Sequence, residues 1–292
     1  MVGLPLQVHD NRLRGATLKR RNAADSTVLS TTILASALIV IVGAAYVAAN
    51  NAINYQVESA EFDQAQNVLL SFAKVVKNVM LTPHSSGYVR SSFWKTIPQF
   101  EKASQNLTLT ISDSGNNQTY NIGQNIIKIK GGYTIGVLTP RNLLGTDSLN
   151  FTDPSGSLAR VRVFQSDGAW VSLDYSRVRC VYIGSSDYYN STIDGYESLN
   201  VFEITLVNLT FGTFEPESQV LIIAENLGMN AEPESPIKVS NNTIIQVRLS
   251  SGEQSPPIDL ADLISIQGGN PGKPILINLI IVDIECSMLK GV

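Results

Sequence analysis

Apolar and polar positions fall into three regimes along this chain. From Ser26 to Val57 no side chain is charged, and apolar residues occupy every face of a helix, not one stripe. The apolar centre, Val28 to Ala49, would extend roughly 33 Å as a helix, enough for a hydrocarbon core about 30 Å thick. A transmembrane helix is expected over 26–50. Polar residues then return, while Ile53, Val57, Ala60, Ala65, Val68, Leu69, Phe72, Val75, Val76 and Val79 recur at three- and four-residue intervals. Residues 51–82 are thus expected to continue the helix in amphipathic form until Leu81–Gly87 (LTPHSSG), with Pro83, breaks it.

From Leu107 onward the pattern changes to short β-rich runs, among them LTLTISD, IIKIK, RVRVFQ, WVSLDY, FEITLVNLTF, VLIIAENLG and PILINLIIVDIEC. Turn residues divide them: Ser166-Asp167-Gly168, Asp153-Pro154-Ser155-Gly156, and EPES at both 215–218 and 232–235. The Gly-Gly pairs at 131–132 and 268–269 have no helix after them and read as turns or bulges, while 258–264 reads as either a helical turn or a strand. The expected fold is α+β in outline: a long N-terminal helix, then a mainly antiparallel, sandwich-like, all-β external domain. Its expected segments are a basic tail or leader (1–25), the span (26–50), the amphipathic continuation (51–82), a connector (83–106) and the β domain (107–292), with a subdivision near 195–200 left open.

Charge adds an orientation. Arg12, Arg14, Lys19, Arg20 and Arg21 precede the uncharged segment, whereas Glu58, Glu61 and Asp63 follow it and the next cation is Lys74. The positive-inside rule places the N-terminal tail in the cytoplasm and the rest outside a single-pass anchor. Six Asn-X-Thr sequons, at Asn106, Asn117, Asn150, Asn190, Asn208 and Asn241, all fall on that external side, as expected of a glycosylated surface. A net charge of −4 and the lack of a basic patch with interleaved aromatics exclude nucleic acid as a partner. The two cysteines, Cys180 and Cys286, leave two outcomes open: one disulfide, or two separate buried thiols.

Candidate chemistry is sparse. His9 and His84 are the only histidines, and no nucleophile elbow, Walker loop or HExxH motif accompanies them, so no enzyme, metal site or cofactor is expected. Asp153, Asp187, Asp194, Glu197 and Glu203 read as solvated loop carboxylates, without a Ca²⁺-loop pattern. Tyr182, Tyr188, Tyr189 and Tyr196 cluster around one polar loop, either covering a sheet or binding a sugar or partner protein. Thr32 with Ser36, Ala44 with Ala48 and Ala45 with Ala49 are small residues four apart, the spacing that lets membrane helices approach closely.

The run KRRNAADSTVLSTTILASALIVIVGA resembles the N-terminal region of archaeal type IV pilins and archaellins. The resemblance implies a leader with Lys19, Arg20 and Arg21, and cutting by a membrane-bound prepilin peptidase between Ala24 and Asp25. It also implies a filament core built from the exposed helix and other pilin-like subunits as partners. Asn22 departs from the family by separating the basic cluster from Ala23-Ala24, and Asp25 stands where an apolar or small residue is common. Two readings follow: a pilin-like surface subunit that self-associates through its helix, or a permanently anchored β domain that binds glycan, peptide or an envelope protein.

Overall fold

The computed structural model describes residues 12–94, 96–190, 194–215, 217–231 and 236–291, with backbone alone at 12–27, 97, 103, 104, 190 and 231. His9 and the 232–235 turn lie outside the described residues, as do the side chains of Lys19, Arg20, Arg21, Ala24 and Asp25. A long N-terminal helix precedes a mostly β, largely antiparallel domain. The chain forms two units, Met1–Gln56 and Val57–Val292, and helix α1, Arg12–Val79, contributes to both.

In the first unit every side chain from Val28 to Ile53 is exposed. No proline interrupts α1, and its alanine-rich composition favours helix at little entropic cost. The stretch Val28–Val79 is long and apolar enough to cross a membrane, the one such helix among the described residues.

In the second unit α1 turns amphipathic. Phe62, Ala65, Leu69, Phe72, Ala73, Val76, Val79 and Met80 are buried along one stripe. Ile53, Val57 and Ala60, expected in that stripe, are exposed instead, because cover over the helix begins only at Glu58 and Phe62. The helix ends with its last carbonyls satisfied from outside. Asn226 Nδ2 donates to Val79 O (3.0 Å) and Thr82 O (3.2 Å), Ser85 Oγ donates to Val79 O (3.0 Å), and His84 turns the chain at φ 60°.

Two seven-stranded sheets complete the unit. One follows the order β1 (Ser86–Ser92), β10 (Gln219–Ala231), β14 (Ile275–Lys290), β9 (Gly195–Phe214), β8 (Val178–Asn190), β5 (Asn150–Phe151), with β11 (Ile237–Val239) also on β14. The other runs β13 (Ile258–Asp259), β12 (Ile244–Leu249), β2 (Ile97–Asp113), β3 (Asn116–Lys130), β7 (Ala169–Asp174), β6 (Arg160–Gln165), β4 (Arg141–Leu144). The β2–β3 hairpin turns through Ser114 (φ 42°) and Gly115 (φ 97°), the left-handed pair that matches strand twist. The 258–264 segment resolves into β13 followed by the short helix α2, Leu260–Ile266, capped by Asp259.

One expectation changes and two gain detail. The supposed connector 83–106 is itself β, carrying β1 and the first part of β2. The sheet is not wholly antiparallel: β14 runs parallel to β9 from Ile275↔Asn200 to Met288↔Phe214, and β5 runs parallel to β8. No domain boundary falls at 195–200, where Gly195 to Asn200 pair continuously with Asn190 to Ser185 inside the β8–β9 hairpin. Both sheets supply side chains to two hydrophobic cores. In one, Leu107, Leu109 and Ile111 of β2 meet Phe202, Ile204 and Leu206 of β9 and Ile275, Ile277 and Leu279 of β14. In the other, the buried stripe of α1 packs with Ile127, Val171 and Leu173 of one sheet and Leu209, Ile222 and Ile284 of the other.

Candidate functional site

Two surfaces bring candidate residues together. The first is the exposed part of α1. Thr32, Ser36, Ala44 and Ala48 lie on one i±4 row interrupted by Val40, while Ala45 and Ala49 lie on the neighbouring row. The hydroxyls are spent on their own helix: Thr32 Oγ1 donates to Val28 O at 2.8 Å and Ser36 Oγ to Thr32 O at 2.8 Å. What these positions offer a neighbour is smallness, allowing close backbone approach, and not interhelical hydrogen bonds.

The second surface is the β8–β9 hairpin. Tyr188, Tyr189 and Tyr196 are exposed, and Tyr189 and Tyr196, opposite each other in register, meet edge to face with centroids 5.6 Å apart. The Tyr189 hydroxyl donates to Asp194, which raises the phenol pKa. Tyr182 separates from the group: it turns inward onto Phe202 and donates to Asn200 Oδ1 at 3.1 Å. In its place the register assembles another set. Ser186 and Tyr188 of β8, Leu199 and Val201 of β9, and Leu276 and Asn278 of β14 line a groove of about 360 Å³, together with Ile183 and Asp187. Aliphatic side chains beside one exposed aromatic ring and a few polar groups are a general ligand-binding chemistry.

Compared with family models, with curated proteins and with solved structures, the chain matches none.

The remaining candidates separate by burial. Asn106 and Asn117 are exposed and Asn241 is half-buried. Asn208 is half-buried with its amide on Asp283 at 2.7 Å, and Asn150 is buried with its amide on Pro256 O at 2.8 Å, which closes Asn150 to glycan transfer in the folded chain. The Asn190 side chain, with Ser191 and Thr192, lies outside the described residues. Cys180 and Cys286 form no disulfide: both are free and buried. Cys180 sits across from Ile204, which is opposite Leu279, seven residues before Cys286 and so about 23 Å away along β14. Burial pushes the Cys180 thiol up to about 12 and the Cys286 thiol higher still, so neither forms the reactive thiolate.

The carboxylates are engaged separately. Glu197 pairs with Lys238 at 2.6 Å, Glu203 lies 3.8 Å from Arg179, and Asp153 accepts from its own turn at Ser155, which lowers its pKa. Among the described residues no three His, Cys, Asp or Glu side chains gather as a metal site. His84 is exposed in the helix-terminating turn.

The sequence reading missed Glu58. It is buried at 7% exposure and its Oε2 accepts from Thr134 N (2.9 Å) and Thr134 Oγ1 (2.5 Å). The signal was the Gly131-Gly132 pair: a Cβ at Gly131 would meet Phe62 at 2.8 Å and one at Gly132 would meet Glu58 at 2.4 Å. The two glycines make room for consecutive turns of α1.

Proposed function

We propose that this is a pilin-like cell-surface subunit. Its N-terminal helix anchors it in a membrane with the tail cytoplasmic, and its β sandwich stands outside, making contacts. The observation that carries this reading is the form of α1: an uncharged, fully exposed half followed directly by a half buried in a β core. Exposing a long run of leucine, isoleucine and valine to water opposes folding, and lipid or packed helices remove that cost. The early cations and the exposed sequons at Asn106 and Asn117 fit the orientation, and the resemblance over Lys19–Ala44 supports processing by a prepilin peptidase between Ala24 and Asp25. The role is structural, not catalytic.

The test is fractionation. Wild-type protein is expected in membranes and in sheared surface filaments, with an N-terminal peptide starting at Asp25 in the filament fraction. Ala44→Leu with Ala48→Leu is expected to leave membrane insertion intact and to abolish recovery from the sheared fraction. Unchanged assembly of that variant, or a start at Met1 in every fraction, would overturn the filament role.

The groove beneath Tyr188 favours a second reading, a permanently anchored binding domain for neutral saccharides. Sugar rings stack their C–H faces on aromatic and aliphatic floors while hydroxyls meet amides and carboxylates, here Asn278 and Asp187. Tyr188→Ala is expected to abolish binding on a glycan array, and equal binding by the variant would remove this reading.

A further inference from the structure

Three large apolar side chains stand almost wholly clear of the β unit: Trp94 is 85% exposed, Tyr133 100% and Leu138 103%. They belong to two loops, one crossing from β1 in one sheet to β2 in the other, and the second following β3, the neighbour of β2. Both loops are pinned to the same end of α1 within this unit. Gly87 lies against Val75 and Val79, Gln64 Nε2 donates to Ser91 Oγ (3.3 Å) and Ser92 O (3.2 Å), and Thr96 N donates to Glu61 Oε2 at 3.3 Å. Each step from 87 to 96 thus moves toward Val57. The other loop moves the same way: Gly131 meets Phe62, Gly132 meets Glu58, and Thr134 donates to Glu58.

Glu58 is the first charged residue after the uncharged segment 26–57. An indole and a phenol therefore lie near the level at which the chain changes from charged to lipid-compatible, and Leu138 follows on the same loop, where Val137 N donates to Gln165 opposite Ala169, the partner of Gly131. Trp and Tyr favour that level of a bilayer, where the ring sits among headgroups and its polar atom stays wet. Three ionic groups of these segments are satisfied within the protein: Glu58 and Glu61 accept from loop donors, and Lys130 pairs with Asp167 at 2.7 Å.

We propose that the loop at Phe93–Trp94 and the loop 131–138 form a collar whose Trp94, Tyr133 and Leu138 rest in the interfacial layer of the membrane that α1 crosses. The partner is the headgroup region of a lipid surface. This rests on the membrane-anchor reading above. The collar gives the β domain contacts with the bilayer beyond the helix itself, and so limits its tilt.

The chain holds two tryptophans, and the other, Trp170, is buried. Trp170→Phe leaves Trp94 as the sole indole of the full chain. In vesicles of phosphatidylcholine at high lipid-to-protein ratio, its emission is expected to shift to the blue relative to unfolded protein. It is also expected to lose more intensity to lipids brominated near the headgroup than to lipids brominated near the chain terminus. A companion variant, Trp94→Phe, Trp170→Phe and Tyr46→Trp, reports on the helix, and is expected to be quenched most by the deep bromines. Deep quenching of the companion with no quenching of Trp94 overturns the collar alone. No quenching of the companion overturns the anchor reading and the collar with it. Shielding of Trp94 that appears only at low lipid-to-protein ratio assigns the surface to a second copy and also overturns the collar.

Discussion

Replacing Asp174 with alanine is expected to cost the fold about 3–5 kcal/mol, the scale of leaving a buried charge without its partner. Asp174 lies at the end of β7, 3% exposed, and accepts from Arg160 Nε at 2.9 Å and from Ser176 N at 3.2 Å. Arg177, 1% exposed, shares its field. Burial pulls the Arg177 pKa down to about 10, with Arg160 adding to the fall and Asp174 and Asp147 opposing it. Among the described residues, Arg177 Nε and Nη2 have no hydrogen-bond partner. One buried carboxylate therefore balances two buried guanidinium groups. Glu253 and Asp147, the latter 3.7 Å from Arg160, also act on that guanidinium, but both are exposed and so screened by water. Asp174→Ala is expected to lower the midpoint of thermal unfolding by on the order of 10 °C. Arg177→Met, which removes a cation whose burial is poorly compensated, should change the midpoint little or raise it. Equal losses in the two variants would show that the cluster is not organised around Asp174.

Phe72→Ala is expected to cost a similar amount, about 3–5 kcal/mol, for a different reason. Phe72 is fully buried in the stripe of α1 that joins the core formed with both sheets. Its removal opens a cavity where helix and sheets meet, and rigid strands on either side cannot close it. The expected signature is local: hydrogen exchange of amides from Phe62 to Met80 accelerates more than that of Leu107–Ile111 in the other core. Uniform acceleration across both cores would mean that helix and sheets open only as one unit.

Much of the helix was legible because its signal is local. Charge is absent over a run long enough to matter, and the three- and four-residue spacing that follows marks a buried face. The place where burial starts was not legible, since Ile53, Val57 and Ala60 keep the period although all three are exposed. Periodicity reports which face is apolar and says nothing of where a partner begins. The buried acid Glu58 was hidden for the same reason: its partners at Thr134 lie 76 residues away.

Strands showed through alternation, and the hairpin at Ser166-Asp167-Gly168 through its turn residues. The parallel pairing of β9 with β14 had no local signal, because register is set by tertiary contacts between distant segments. The tyrosine loop was half legible. Clustering in sequence grouped four rings, but the step between Tyr182↔Phe202 and Gly184↔Val201 is a bulge, which turns Tyr182 into the core while the others stay outside. Asn226 looked like an ordinary strand residue and instead terminates α1. Only the glycine two positions later hinted at the irregularity that aims it.

The position of β14 sets a timetable. This last described strand lies in the middle of its sheet, between β9 and β10, so each neighbour lacks one of its two partners until residues 275–290 have emerged. Its pairing with β9 closes a separation of 75 residues, as from Asn200 to Ile275, which makes the step entropically late. Until then β9 and β10 present unpaired edges, the form of chain most exposed to aggregation. For a protein delivered N-terminus first, the helix would be in place well before the domain it carries is complete. Arrival of β14 would then act as the commitment step, closing the gap between β9 and β10.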